Sequence, residues 1–341
     1  MNNNANYLDK ILEKLCKANG IGYAGEIKDI LVGEIKPYTD DARIFPDGSV
    51  YGLIKGMRNV NVMLACHIDE IGFIVSSIED NGFIRFKQVG GCDDRILPGQ
   101  EVVILGKKEI KGYVGAKPPH LMKKEEVNKV MTTDKLFIDT GLKPEVLKKF
   151  VDIGDFICFA GYYNKLQGDF RSAKALDNRS SIACAILVLR ELSELGSPVN
   201  LHFVATNQEE FSGLGARIHS YRLSPDYCVV IDVTHGEYPG LSEGEYFSLN
   251  KGPVIARGAT IPQKLYKLLT ESAQSKEIPY QIEPLPSYTG TDADAIAFNK
   301  EGIPTCVLGI PLRYMHTPIE VVCLKDIERT ARLVIEFIKK L

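Results

Sequence analysis

Short apolar runs rich in Val and Ile recur at about Val60 to Ala65, at LHFVAT (201–206), at YCVVI (227–231) and at TCVLGI (305–310), and each reads as a strand buried on both faces. Between them the apolar positions take up the three-and-four spacing of helices. The clearest helix is NRSSIACAILVLRELSEL (178–195); others fall near 213–222, 261–276 and the C-terminal LKDIERTARLVIEFIKKL, and Leu8, Ile11, Leu12 and Leu15 mark one face of an N-terminal helix. Strands that alternate with helices predict an α/β fold, a mostly parallel sheet with helices on both faces. From roughly residue 72 to 165 the pattern changes to short alternating strands broken by turn signals such as EDNGF (79–83), LPGQ (97–100) and DIGD (152–155). That stretch predicts a small all-β domain inserted into the α/β domain, which is then assembled from 1–71 and 166–341.

Composition narrows the class. At 341 residues the chain is too long for one small core, and with 45% hydrophobic and 25% charged residues it has the make-up of an ordinary globular protein. The formal net charge is -3 and no run of Lys and Arg is dense enough to track phosphates, so nucleic acid is not expected as a partner. No apolar stretch approaches the roughly 18–20 residues that cross a bilayer, and the N-terminus lacks the charged-then-apolar order of a secretory signal. The eight cysteines stand singly, several within apolar runs, and no CxxC pair occurs. Reduced, buried thiols in a cytoplasmic protein fit this better than disulfides or a thiolate zinc site.

Candidate chemistry gathers at the carboxyl ends of the expected core strands. His67 and Asp69 follow one strand, Glu209 and Glu210 a second, Asp232 closes a third and His316 follows a fourth, while Asp177 opens the long helix. In open α/β sheets that edge is where ligands bind. Taken singly each motif has an ordinary reading, Asp-Asn at a helix start being an N-cap and Glu-Glu in a loop a solvated pair. Placed together on one edge they form a set of imidazoles and carboxylates suited to zinc, cobalt or manganese. Five ligands exceed what one tetrahedral ion needs. With Asp177 as a bridge, two divalent ions would each receive one His, one terminal carboxylate and a shared oxygen, and would activate a water between them as nucleophile. Asp69, two residues after His67, is positioned to accept the second N–H of its ring. Of the neighbours Glu209 and Glu210, one would bind metal and the other carry protons. His202 and His219 read as structural, and His120 and His235 as loop hydrogen-bonders.

At these residues the chain closely resembles the glutamyl and leucyl aminopeptidases that form tetrahedral (TET) particles. The matching stretches are ACHIDEIGFIV, KPPHL, GDFICF, SAKALDNRSSIA, TNQEEFSGLGA, VVIDVTH, GTDADAI and GIPLRYMHTPIEVV, in order through nearly the whole chain. The resemblance implies that His67, Asp177 and Asp232 hold one metal, that Asp177, Glu210 and His316 hold the other, and that Glu209 is the general base. It implies a β-barrel-like insert serving assembly and access to the active site, short peptides as substrates, and self-assembly into a hollow homododecamer. Two stretches depart from the family: GIGYAGE near the N-terminus, and Tyr288-Thr289-Gly290-Thr291-Asp292 where Gly-Gly-Thr-Asp is usual. The second lies near the family's substrate side-chain pocket and makes Asp292 a candidate substrate contact.

Other readings compete with peptide hydrolysis. Aminoacylase or deacylase chemistry on the same metal core is the nearest rival. An endoglucanase needs two facing carboxylates and no His ligands, and this chain has no Trp with which to stack a sugar. A non-catalytic assembly subunit would have no use for Glu209 beside a full ligand set.

Overall fold

The computed structural model describes residues 2–125, 127–242, 244 and 246–341. Two bodies emerge from the chain. The first is an 11-stranded sheet in the order 41–44, 50–54, 199–206, 58–67, 227–235, 305–313, 320–323, 170–173 and 163–165, with strand 254–258 pairing 305–313 and carrying 281–285 on its far side. Its four central strands (199–206, 58–67, 227–235 and 305–313) are parallel, with Thr206 opposite His67 and Asp232 opposite Gly309. The flanking strands pair antiparallel, except that 281–285 runs parallel to 254–258. The apolar runs read from the sequence are these central strands, buried up to their carboxyl ends, where only the last residues His235 and Arg313 emerge. Short flanking strands such as Asp41–Ile44 and Gln281–Leu285 carry little apolar signal, because one face meets solvent.

Helices cover the sheet. Leu176–Leu195 packs against Leu324–Lys340, Asn2–Lys17 and the central strands, and Leu214–Leu223 packs with Asp292–Ala297 over strands 199–206 and 58–67. Leu8, Ile11, Leu12 and Leu15 are all buried in this main core together with Ile182, Ile186, Leu189 and Phe337. At the ~25 cal/mol per Å² of apolar surface removed from water, such side chains supply most of the drive to fold. A buried ion pair ties the N-terminal helix to the sheet: Asp9 accepts from Arg171 at 2.7 and 3.1 Å and from the Tyr163 hydroxyl at 2.6 Å, with Lys165 2.8 Å away.

The second body is a closed antiparallel barrel of six strands, 72–78, 84–89, 137–139, 109–115, 101–105 and 156–159. It has its own core, in which the Phe73 ring meets Phe86 and Phe159 edge-on at centroid distances of 5.0 and 5.3 Å. Strand Tyr163–Lys165, which the sequence grouped with the insert, pairs instead with Phe170–Ala173 in the large sheet. The barrel leaves the sheet five residues after His67, at the strand end where the candidate ligands converge.

Candidate functional site

Each candidate side chain is delivered by an element end. His67 is the last residue of strand Arg58–His67, and Asp232 lies on Tyr227–His235 with its Oδ1 accepting the N–H of Val233 at 2.8 Å. Asp177 sits at the head of helix Leu176–Leu195, where the backbone is not yet helical and the Asp177–Asn178 peptide is cis. Asn178 Nδ2 donates to the carbonyl of Ile231 at 3.0 Å, which anchors this helix start beside Asp232. Three non-glycine residues at the site hold left-handed backbone: Ala175 (φ 54°), Gln208 (φ 69°) and His316 (φ 62°). Each such conformation costs on the order of 1 kcal/mol and persists only where surrounding contacts enforce it.

The geometry groups the side chains in two overlapping triads. One is His67, Asp177 and Asp232; the other is Asp177, Glu210 and His316; within each, the ligand atoms lie within 4.8 Å of one another. Asp177 faces both ways, Oδ1 lying 3.0 Å from His67 Nε2 and Oδ2 3.4 Å from His316 Nε2. His67 Nε2 to Asp232 is 3.7 Å and His316 Nε2 to Glu210 is 3.3 Å. Two atoms that share a tetrahedral ion at about 2.1 Å stand about 3.4 Å apart, so the residues present fit divalent cations. Glu209 belongs to neither triad, its Oε2 being 4.0 Å from His67 Nε2.

Asp69 acts differently from the sequence expectation. The ring of His67 uses Nδ1 on the backbone carbonyl of Asp69 at 3.1 Å, and the Asp69 carboxylate is 3.7 Å away. A carbonyl only accepts, so Nδ1 carries a hydrogen and Nε2 is the nitrogen turned toward the cluster. The Asp69 carboxylate instead accepts the backbone N–H groups of Glu209 (3.0 Å) and Glu210 (3.3 Å), fixing the turn from which both glutamates project. Glu320 was missed by sequence reasoning. Its Oε1 takes the N–H of His316 at 2.9 Å and its Oε2 the N–H of Asp177 at 3.1 Å, so one buried carboxylate positions two elements that carry ligands. The only signal is its place four residues after His316.

Burial and the crowding of carboxylates govern the electrostatics of the site. Burial pushes the carboxyls of Asp232 and Glu210 up, and that of Glu209 up to about 9, with Asp232, Asp292 and Glu210 adding repulsion there against the pull of His67. Burial opposes protonation of His316, but hydrogen bonds to Asp177 and Glu210 overcome it and push the imidazole up to about 11; His67 is raised in the same way, chiefly by Asp177. The buried carboxylates thus draw positive charge toward this cluster, a role that bound cations would fill. Asp292 is buried, with Thr206 Oγ1 donating to Oδ2 and no partner at Oδ1, and burial raises it to about 6.

The triads lie in a cleft of about 460 Å³ that also includes Glu209, Thr234, His235, Glu283, Leu285 and Met315. A larger depression of about 1580 Å³ adjoins it, sharing Glu209, Thr289 and Thr291 and containing Asp292 but none of the candidate ligands. The remaining histidines lie elsewhere or at the rim. His202 bonds Tyr51 and Asn61, buried His219 bonds Asp47, and His120 and His235 are exposed.

Known proteins share this arrangement of barrel, sheet and cleft. The family model described as M42 glutamyl aminopeptidase matches residues 48–333. A lysyl aminopeptidase of Pyrococcus furiosus is 33% identical over 331 residues, 95% of this chain and 94% of that protein. A TET aminopeptidase from a marine sediment archaeon of the Thaumarchaeota superposes with a TM-score of 0.93 at 31% identity, over 99% of this chain and 97% of that one. The TET1 peptidase of Pyrococcus horikoshii, which can assemble into a tetrahedron or a large octahedral shell, superposes with a TM-score of 0.85 at 28% identity over 96% and 98%. Both bodies of the fold and every candidate ligand fall inside these matches, and the chain belongs to the M42 glutamyl aminopeptidase family.

Proposed function

We propose that this protein is a dinuclear-metal aminopeptidase that removes N-terminal residues from short peptides. The observation that carries this reading is Asp177, whose two oxygens address two different imidazoles, each of which has a second carboxylate close by. Nitrogen and oxygen donors without thiolate favour zinc, cobalt or manganese. Two such ions, when bound, supply Lewis acidity toward the scissile carbonyl and activate the attacking water.

The protein's own groups do the rest. His67 keeps its metal-facing tautomer through the Asp69 carbonyl, and Glu320 holds His316 and Asp177 in register. Glu209, outside both triads but against His67, takes the proton of the attacking water and returns it to the departing amine. Burial and the neighbouring carboxylates raise its proton affinity, and positive charge beside it draws it back toward the ionised form a base requires. Asp292, in the adjoining depression that shares Glu209, adds to that affinity by repulsion.

Assembly into a tetrahedral homododecamer is part of the same proposal. The TET neighbours support it, as do Tyr113, Leu121 and Ile153, large apolar side chains left exposed along the barrel segment. Eight free cysteines, seven of them buried, support a cytoplasmic location. Among the described residues no helix is long and apolar enough to cross a membrane.

The test is hydrolysis by the metal-loaded protein of free aminoacyl anilides, N-acetylated amino acids and carboxymethylcellulose. Free-amine substrates are cleaved, and chelation abolishes the activity. Equal rates on N-acetyl-Leu-Gly and Leu-Gly support the aminoacylase reading instead, and activity on cellulose alone overturns both.

A further inference from the structure

Glu283 is the charged group in the cleft that neither triad nor proton transfer uses. It comes from strand Gln281–Leu285, whose alternation turns Gln281, Glu283 and Leu285 inward and leaves Ile282 and Pro284 exposed. Among the described residues its carboxylate has one hydrogen bond, a neutral one from Thr234 Oγ1 to Oε1 at 3.1 Å, and no Lys or Arg forms an ion pair with it. The cleft around it is lined by Leu285, Val307 and Met315, and again by no Lys or Arg. A partly buried carboxylate with one neutral donor, and with His235 as the cationic side chain acting on it, lacks the full counter-charge that a lysine or arginine would give.

The spacing says what would supply one. Thr234 lies two residues beyond Asp232 on the same strand and face, about 6.6 Å at 3.3 Å per residue. The five bonds from Cα to Nζ of a lysine, extended, reach roughly 6 Å. A peptide whose first carbonyl lies at the triads therefore brings a lysine ammonium or arginine guanidinium to Glu283, its methylenes lying along Leu285 and Met315. Gly309, opposite Asp232, keeps this part of the cleft compact: a Cβ there would stand 2.8 Å from Thr234 Cγ2.

Resting on the aminopeptidase reading, we propose that Glu283 sets the specificity of the cleft and that the enzyme prefers peptides beginning with Lys or Arg. An acidic first residue meets like charge, and a leucine leaves Glu283 desolvated without a partner. Burial already holds the Glu283 carboxyl above its ordinary range, with Thr234 and His235 only partly opposing it.

The experiment measures kcat/KM of the metal-loaded full chain on Lys, Arg, norleucine, Leu and Glu coumarylamides. Norleucine carries the lysine stem without its charge. Lys exceeds norleucine by at least tenfold, Glu is the poorest, and Glu283→Gln lowers the Lys-to-norleucine ratio at least tenfold, mainly through KM for Lys. Thermal shifts of the same protein with L-lysinamide and L-norleucinamide give a readout independent of turnover, the lysine shift being larger and lost in Glu283→Gln. Should that variant not fold, Glu283→Asp and the wild-type panel decide. Norleucine cleaved as well as Lys, or a ratio unchanged in the variant, overturns the assignment and leaves the aminopeptidase standing. Failure to cleave any free-amine substrate while N-acetylated ones are cleaved overturns both.

Discussion

Glu209 and Glu210 are chemically identical neighbours to which the structure gives different surroundings, and separating them tests the proposed chemistry most directly. Glu210 Oε2 is 3.3 Å from His316 Nε2 within a triad, whereas Glu209 lies outside both triads at 4.0 Å from His67. Their backbone is pinned by the same Asp69 carboxylate, so a Glu→Gln change at either position preserves shape and removes one charge. Glu209→Gln leaves both triads complete and removes only the proton acceptor. Two metals remain bound while kcat falls about 10²–10⁴-fold, which is about 2.7–5.4 kcal/mol of barrier. Glu210→Gln removes one of three donors in its triad. Losing an outer partner of a metal ligand already costs about 10–100-fold in affinity, so loss of a ligand itself exceeds that, and activity returns in part as cobalt is titrated. Metal content by mass spectrometry and kcat on a favoured coumarylamide distinguish the two variants. Metal loss in Glu209→Gln with full metal in an inactive Glu210→Gln reverses the roles, and two active variants refute the mechanism.

Three further outcomes follow from the same geometry. Asp177→Asn weakens both triads at once and lowers metal content more than any other single ligand change; two ions still bound by mass spectrometry would refute the bridge. Asp9→Asn breaks a buried ion pair and destabilises the fold by about 3 kcal/mol at pH 7, read from thermal midpoints. Because Arg171, Lys165 and Tyr163 overcome burial and depress the Asp9 carboxyl in the folded protein, its contribution is full above the unfolded value of about 4. It is lost as pH falls through the folded value, so the gap between wild type and variant narrows in acid; a gap that widens there contradicts the pairing. Light scattering at low micromolar concentration yields about 450 kDa for twelve chains of 37.8 kDa, and a mass near one chain with metal present counts against assembly.

The sequence by itself determined the central strands, the helices between them and the residues at their ends, because burial on both faces writes continuous apolar runs and a strand's carboxyl end is legible wherever such a run gives way to His, Asp or Glu. It also marked an inserted β module, since alternation and turn residues are local signals. Only the tertiary structure decided the flanking strands and their directions, because half-exposed strands such as Gln281–Leu285, with Pro284 inside it, lack both patterns. The same limit applies in the site. That Asp69 offers its carbonyl to His67 and its carboxylate to the glutamate turn depends on the backbone path from Thr206 to Glu210. That Glu320 holds His316 and Asp177 joins positions 143 residues apart, and that Glu283 faces the cleft of the two triads without a Lys or Arg partner depends on strand 254–258 carrying it beside Thr234. Local periodicity records which face of an element is buried; which polar groups meet across the sheet is fixed by strand order and register, and those depend on the whole chain.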